Sequence, residues 1–430
     1  MAEEPEHYRC PLFAVDQRLE DLHRQWHAAE GAYFDPDAFR VAIQTAIQTS
    51  RTVTFILQSN KGTIPKFDEW YTGWREKLAS VPLMRWMVDA RNKIEKQGDL
   101  ETYSVIRAEI VGSYLEEGPR VEVPAVLSDV PLKLLRSVPQ NSLGDHLRKS
   151  RILRIQRRWV ENTLPEHELL DAVAIAYGYL AELIRDAHLT LGLDGPSTTD
   201  NATGEVYAND LCAGRLPCMI GHADMRSLDI PLATGRPVEI KTHSYEIDKK
   251  KGEAAAERYG LQPEEVFPDS KNPEDTLRSL FSTARRMFLA DGYHITIIFL
   301  LRDGALIHMM QIAPEDQGEK YLLMRSIGHE VVKRGADAVV MLGEVWTAAY
   351  DATAPYRRAG DAPEKSEAVM ATLVSKTGEP IQLSAIIHRK DGGQALDDTV
   401  EIQGGAQYMF APIYEAWGRA IPNEWLKNGP

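Results

Sequence analysis

The sequence predicts an α+β protein: an N-terminal helical bundle with a β-hairpin insertion, then a C-terminal, mainly antiparallel sheet with one or two helices. Three observations predict it. Apolar residues recur at three- and four-residue steps from 15 to 105, the spacing of a buried helical stripe. The period shortens at 104–127, where β-branched residues flank a Gly118-Pro119 turn. The last third alternates in the order β-β-α-β-β-β, which implies antiparallel pairs with a helix on a face.

Taken in order, Val15, Leu19, Leu22 and Trp26 form the first amphipathic face. Asp35-Pro36 is an N-cap followed by proline at the first helical position, and Phe39, Ile43, Ala46, Ile47, Val53, Ile56 and Leu57 extend the core stripe. Trp70, Trp74 and Leu78 step by four, Pro82 stands near a helix start, and Met84, Val88 and Ile94 bracket Arg91. After the 104–127 hairpin, a helix is expected over about 141–160, then a long one in which Leu169, Val173, Ala176, Leu180, Leu183 and Ile184 align. Residues 190–216 are polar and Gly-rich and read as a linker. A strand pair is expected at 227–231 and 237–247 across Thr234-Gly235, then a charged segment, then a helix near 274–290 capped by Asn272-Pro273. "YHITIIFLLRDGALIHMMQIA" is a hairpin across Asp303-Gly304, the following helix stops at Gly335, "ADAVVMLGEVWTA" is a buried strand, and a last hairpin turns at Thr377-Gly378. These elements divide the chain into a bundle at 1–190, an irregular region with a hairpin at 191–272, and an α+β domain at 273–430.

The formal net charge of -14 argues against general binding to nucleic acid, since the phosphate backbone is repelled unless a local basic patch overrides the average. The acidic N-terminus has no apolar core and the longest apolar run, "ITIIFLL", is far short of the roughly 20 residues a bilayer needs, so no membrane association is expected. Three cysteines, Cys10, Cys212 and Cys218, suit a reducing cytoplasm, and the Cys212–Cys218 spacing is a weak zinc signal. No Walker A, GxGxxG, GxSxG or CxxC motif is present, which argues against nucleotide-cofactor enzymes and serine hydrolases; no cofactor is expected.

Five groups of residues are candidates for chemistry or binding. The first is Arg91-Asn92 in "DARNKIEKQGD". This helical segment resembles the HEPN superfamily, helical bundles that include many ribonucleases of stress and defence systems. The resemblance implies a bundle over roughly the first 190 residues, with Arg91 and Asn92 on the motif. The family places a histidine after four to six residues that follow the arginine, for proton transfer or phosphate binding; here those positions are Lys96, Gln97 and Gly98. Lys96 is able to neutralise a phosphate but is a poor base. The second is Asp229, Glu239 and Lys241, which is similar to the PD-(D/E)xK nuclease pattern and implies Mg2+-assisted phosphodiester hydrolysis. The third is His222, Asp224 and His243, a metal cluster by proximity in sequence, with His329-Glu330 apart in a helix. The fourth is "HLRKSRILRIQRRWV": at helical spacing, Arg151, Arg154 and Arg158 share a face with Arg148 nearby, a basic surface for RNA or an acidic partner. Glu344, Trp346 and Tyr356-Arg357-Arg358 stand at a strand end and the loop after it, in a C-terminal part that resembles small bacterial proteins of unknown role.

The expectation is a cytoplasmic, bacterial-type binding or scaffold protein without catalysis, contacting RNA or a protein partner and able to dimerise through its bundle. The alternatives are a Mg2+-dependent nuclease and a degenerate HEPN ribonuclease.

Overall fold

The structure, a computed structural model, describes residues 10–115, 120–138, 151–193, 198–199, 206–207, 214–238, 249–262, 266, 268, 270–349, 351, 353–354, 358–390, 393–404, 408–423 and 425. The architecture is α+β, with helices dominating the N-terminal part and antiparallel strands the C-terminal part. The chain divides into two compact units, neither continuous in sequence: Met1–Glu109, Glu122–Val138 and Arg154–Leu228 form the first, and Ile110–Val121, Pro139–Leu153 and Asp229–Pro430 the second.

In the first unit, α1 (Phe13–Gly31), α2 (Pro36–Ser59), α3 (Phe67–Ser80) and α4 (Pro82–Gln97) follow one another. The Asp35 carboxylate caps α2 by accepting from Ala38 N at 3.1 Å, with Pro36 at the first turn where its missing N–H costs nothing. The predicted stripes meet in one core, where Trp26, Phe39, Ile43, Ile47, Val53 and Leu57 are almost completely buried. A short helix, α5 (Pro131–Ser137), precedes the long α6 (Leu169–Thr190), which brings Leu169, Val173, Ala176, Leu180, Leu183 and Ile184 to that core. Trp26 Nε1 donates to the Leu170 carbonyl at 2.8 Å, and Trp159 stacks on Phe39 with ring centroids 4.7 Å apart. The helix α3 buries only Phe67 fully; its indoles at Trp70 and Trp74 both donate to Asp186 Oδ2 of α6, at 2.8 and 2.6 Å.

The strands β1 (Thr102–Val111), β2 (Arg120–Val123) and β3 (Ile152–Glu161), the short pair β4 (Thr198–Thr199) and β5 (Val206–Tyr207), and β6 (Arg226–Pro231) come next; β2, β1, β3 and β6 form one sheet in that order. Here the structure corrects the sequence reading. The helix expected over 141–160 is a strand from Ile152 onward, while residues 139–150 lie outside the described residues. The segment satisfies two periods at once. Ile152, Ile155 and Trp159 fit a helical face, but Leu153, Ile155, Arg157 and Trp159 also alternate, and it is this second set that is buried, with Arg154, Gln156 and Arg158 on the other side. The hairpin at 104–127 is present as β1 and β2, its Gly118-Pro119 turn lying outside the described residues. Of the expected pair at 227–231 and 237–247, β6 supplies the first strand and Gly235 turns with φ 64°; Val238 N then donates to the Asp229 carbonyl at 2.9 Å, and 239–248 lie outside the described residues.

The second unit holds α7 (Lys249–Tyr259), which occupies the segment read only as charged, and α8 (Pro273–Asp291), capped by Asn272 as expected. There follow β7 (Thr296–Arg302), β8 (Ala305–Ile312), α9 (Gln317–Arg334), β9 (Ala338–Thr347), β10 (Ser366–Ser375), β11 (Ile381–Lys390), β12 (Gly393–Leu396), β13 (Val400–Gln403) and α10 (Ala411–Ala416). The sheet order is β12-β11-β10-β9-β7-β8, with β13 also paired to β11, and the paired strands are antiparallel. Asp303 and Gly304 turn the β7–β8 hairpin with φ of 50° and 76°, as a tight two-residue hairpin turn requires, and Gly304 passes so close to the Ser270 carbonyl that a Cβ would lie 2.4 Å from it. Gly335 closes α9 at φ 62°.

Successive residues of β7 serve different cores: Ile298 and Leu300 pack with Tyr321, Met324 and Ile327 of α9, while Phe299 and Leu301 pack with Leu277, Phe281 and Phe288 of α8. Helices therefore cover both faces of the sheet, where the sequence led to the expectation of one. This accounts for the unbroken apolar run of β7, since a strand buried on both sides has no polar face to alternate with. Among the described residues no helix is long and apolar enough to cross a membrane.

Candidate functional sites on the helical unit

The Arg-Asn pair lies on α4, but its groups are engaged by their neighbours. Arg91 Nη2 pairs with Glu95 Oε1 one turn on at 2.8 Å, Nη1 donates to Asn92 Oδ1 at 3.0 Å, and the guanidinium stands 5.8 Å from the Phe55 ring centre. Lys96 is exposed. Other residues of α4 line a shallow cleft of about 390 Å³: Arg85, Trp86, Asp89 and Lys93 face Leu100, Glu161 and Thr163 across it. Glu161 is the buried charge there. Burial works to raise its pKa, but the Thr163 hydroxyl and N–H, the Trp86 indole and Lys93 outweigh it and hold the carboxyl below its usual value.

Of the nuclease-like set, Asp229 is half-buried on β6, and Glu239 and Lys241 lie outside the described residues. The expected basic face does not form as predicted. Arg148 lies outside the described residues, and strand parity puts Arg151 on the side opposite to Arg154 and Arg158. Arg151 packs over Gly112, where a Cβ would overlap its side chain. Arg158 is bound by Asp224 at 2.7 Å and by the Pro165 carbonyl at 3.3 Å, so the carboxylate once grouped with His222 neutralises an arginine instead. His243 lies outside the described residues. In the second unit, Glu344 accepts from His294 N and binds Arg389 at 3.0 Å, Lys365 sits 4.6 Å over the Trp346 ring, Arg358 pairs with Asp361, and Tyr356 and Arg357 lie outside the described residues.

Among the described residues, two clusters of potential donors form that the sequence reading missed. His23 and His27 lie one turn apart on α1, and Cys218 meets them from the turn at Pro217–Met219; one donor atom from each falls within 4.8 Å of the others. His23 Nε2 is 3.3 Å from Cys218 Sγ, and His27 Nδ1 is 2.9 Å from Glu30 Oε2. Burial first, then the neighbouring His27, keeps the His23 pKa below its usual value. In the other cluster, Cys10 Sγ and Asp16 Oδ2 both approach His188 Nε2, at 3.3 and 3.2 Å, while Nδ1 meets the Ile184 carbonyl at 2.9 Å. The Asp16 contact is the largest reason that His188 is pushed up to about 9. Each cluster joins residues more than 170 positions apart. The only local trace is a four-residue step, His23 to His27 and Cys218 to His222.

A third feature is an inverted loop. Between β2 and α5, Asp129 turns inward and is almost fully buried: it accepts from Val126 N at 2.9 Å, pairs with Lys133, and offers its carbonyl to Arg157 Nη2 at 2.6 Å. Lys133 first, then the Val126 N–H, lower its pKa. The apolar side chains face the other way. Val126, Leu127 and Leu132 are 57%, 52% and 56% exposed, and Val130 is exposed as well. Among the described residues β2 is the terminal strand of its sheet.

The sequence matches the family "Bacteriophage lambda protein ea47" over residues 3–430. It is similar to Protein ea47 of Escherichia phage lambda, 31% identical over 346 residues that cover 77% of this chain and 78% of the phage protein. No solved structure matches. A match along nearly the whole chain, together with this identity over most of both proteins, shows that the protein belongs to the bacteriophage lambda ea47 family.

Proposed function

We propose that the protein is a binding or scaffold protein rather than a catalyst, and that it holds a protein partner at the loop 124–132 and the adjoining edge of β2. The inverted loop carries this reading. A surface loop ordinarily turns its polar groups to water and its apolar ones inward. Here a buried aspartate, a buried arginine and a lysine fix the backbone while Val126, Leu127 and Leu132 stand in solvent. Rigid, exposed apolar side chains lose little entropy on binding and gain roughly 25 cal/mol for each Å² of apolar area they bury. A strand at the edge of a sheet, as β2 is among the described residues, is a place where an extended segment can add. The net charge of -14 and the engagement of Arg158 by Asp224 both favour a protein over RNA as the partner.

The HEPN-like resemblance fits this reading as architecture. Arg91 is held by Glu95, and no histidine follows it at the motif spacing, so the groups that would run ribonuclease chemistry are not assembled on α4. A role in a stress or defence system belongs to the same proposal.

The test is affinity purification of the full-length protein from cells in which its gene is naturally expressed, beside a Leu127→Asp/Leu132→Asp variant. Wild type is expected to retain a defined protein, or a second copy of itself by sedimentation, and the variant to lose it; both should leave RNA and DNA intact with Mg2+. Equal capture by the variant, an RNA shift that persists in it, or cleavage lost in Glu239→Ala or Arg91→Ala would sink the proposal.

A further inference from the structure

We propose that His23, His27 and Cys218 bind a zinc-class divalent cation, with His222 as the fourth ligand, and that the ion fastens α1 to the segment 214–222. Two imidazoles and a thiolate are the donors that borderline-soft cations prefer, and they exclude Mg2+ and Ca2+, which take oxygen. The placement follows from local structure. Residues four apart on a helix share a face, so α1 presents His23 and His27 together. The turn at Pro217–Met219 then brings Cys218 Sγ to 3.3 Å from His23 Nε2, close to the roughly 3.3–3.8 Å between donors that tetrahedral zinc imposes through bonds of 2.0–2.3 Å.

The surroundings are those of an outer shell. Glu30 holds His27 Nδ1 at 2.9 Å, and Glu20 stands 3.6 Å from His23 Nδ1. Such carboxylates orient a ligating imidazole by binding its second nitrogen, which leaves the first for the metal. Arg226, at 3.0 Å from Glu30 Oε1, fixes that carboxylate in turn. His222, four residues after Cys218, has its Nε2 2.8 Å from the Cys218 carbonyl and 3.7 Å from Glu30 Oε1, the carboxylate that holds His27, and so stands next to the three donors. The Cys10–Asp16–His188 cluster lacks this arrangement. There both nitrogens of His188 face acceptors, Nε2 the Asp16 carboxylate and Nδ1 the Ile184 carbonyl, so the ring is set to donate two hydrogen bonds and offers no lone pair.

The experiment uses the full chain, kept reduced and stripped with a chelator, titrated with Zn2+ alone and with Co2+ as the spectroscopic stand-in. A single equivalent is expected, giving a tetrahedral Co2+ spectrum with a thiolate charge-transfer band, and Zn2+ should raise the unfolding temperature. Cys218→Ser should abolish the charge-transfer band. His27→Gln, at an exposed position that leaves the core intact, should weaken binding by more than about tenfold, the low end of what losing even an outer-shell partner costs. Cys10→Ser should change neither. Co2+ that stays octahedral, or binding indifferent to Cys218→Ser, or binding lost in Cys10→Ser, overturns the assignment.

Discussion

Among single residues, Glu168 is the one whose burial sets a measurable pH dependence. It is 2% exposed, caps α6 by accepting from Leu170 N and Asp171 N at 2.9 and 3.0 Å, and receives the Tyr33 hydroxyl at 3.2 Å. Burial dominates and raises it to about 7, from an ordinary value of 4.5. A carboxyl that holds its proton more tightly folded than unfolded stabilises the fold at low pH, and the contribution is lost as pH rises from the unfolded towards the folded value. At about 1.4 kcal/mol per unit, ionising Glu168 costs on the order of 3 kcal/mol. His188, raised to about 9 chiefly by Asp16, has the same sign in a higher window, stabilising fully below 6.5 and losing that contribution as pH passes 9. The urea midpoint of wild type is therefore expected to fall in two stretches, pH 5–7 and pH 7–9. Glu168→Gln should flatten the first stretch and His188→Gln the second; a midpoint constant across both stretches would contradict the buried-carboxyl account. Neither residue drew attention in the sequence, because burial of a charge is set by what packs over it and not by its neighbours in the chain.

The elements show what local chemistry makes legible and what it does not. Caps and tight turns were readable because a single residue causes them: Asp35, Asn272, Gly335 and the Asp303-Gly304 turn all sit where the sequence puts them. Strand β3 departs from the helix that its sequence predicts because "ILRIQRRWV" satisfies both a helical and an alternating period, and packing of the alternating set against α2 residues such as Phe39 decides between them. That choice dismantled the basic helix face on which the RNA reading rested. Helix α3 is held in a way no pattern announces, through two indoles on one carboxylate oxygen. Asp186→Ala is expected to lower stability by about 2 kcal/mol, within the range for hydrogen bonds to charged groups, and to shift tryptophan emission as Trp70 and Trp74 gain water. An unchanged midpoint and spectrum would mean that α3 depends on Phe67 and its apolar neighbours alone.

For the whole molecule, the arrangement of the two units along the chain has direct consequences. The first unit takes residues from three separated segments, the last ending at Leu228. A fragment of residues 1–190 lacks Leu216 and Met219, which belong to its core, and Arg226, which binds Glu30. It is expected to melt over a broad range without a cooperative transition, while 1–228 should regain one; a sharp calorimetric transition for the shorter fragment would show that the third segment is dispensable. The same interleaving explains why the donor clusters were hidden: Cys218 reaches His23 across 195 positions, a separation that only the folded core removes. It bears on heredity as well. The chain passes between the units after Glu109, Val121, Val138, Leu153 and Leu228. A single recombination breakpoint between Ile110 and Leu228 would mix parental halves in both units, and one farther along, within Asp229–Pro430, would still leave the second unit, which begins at Ile110, a hybrid. Genes of this kind are expected to be exchanged as whole cassettes and to diverge as one piece, in keeping with a family match that runs from residue 3 to residue 430 without confining itself to either unit.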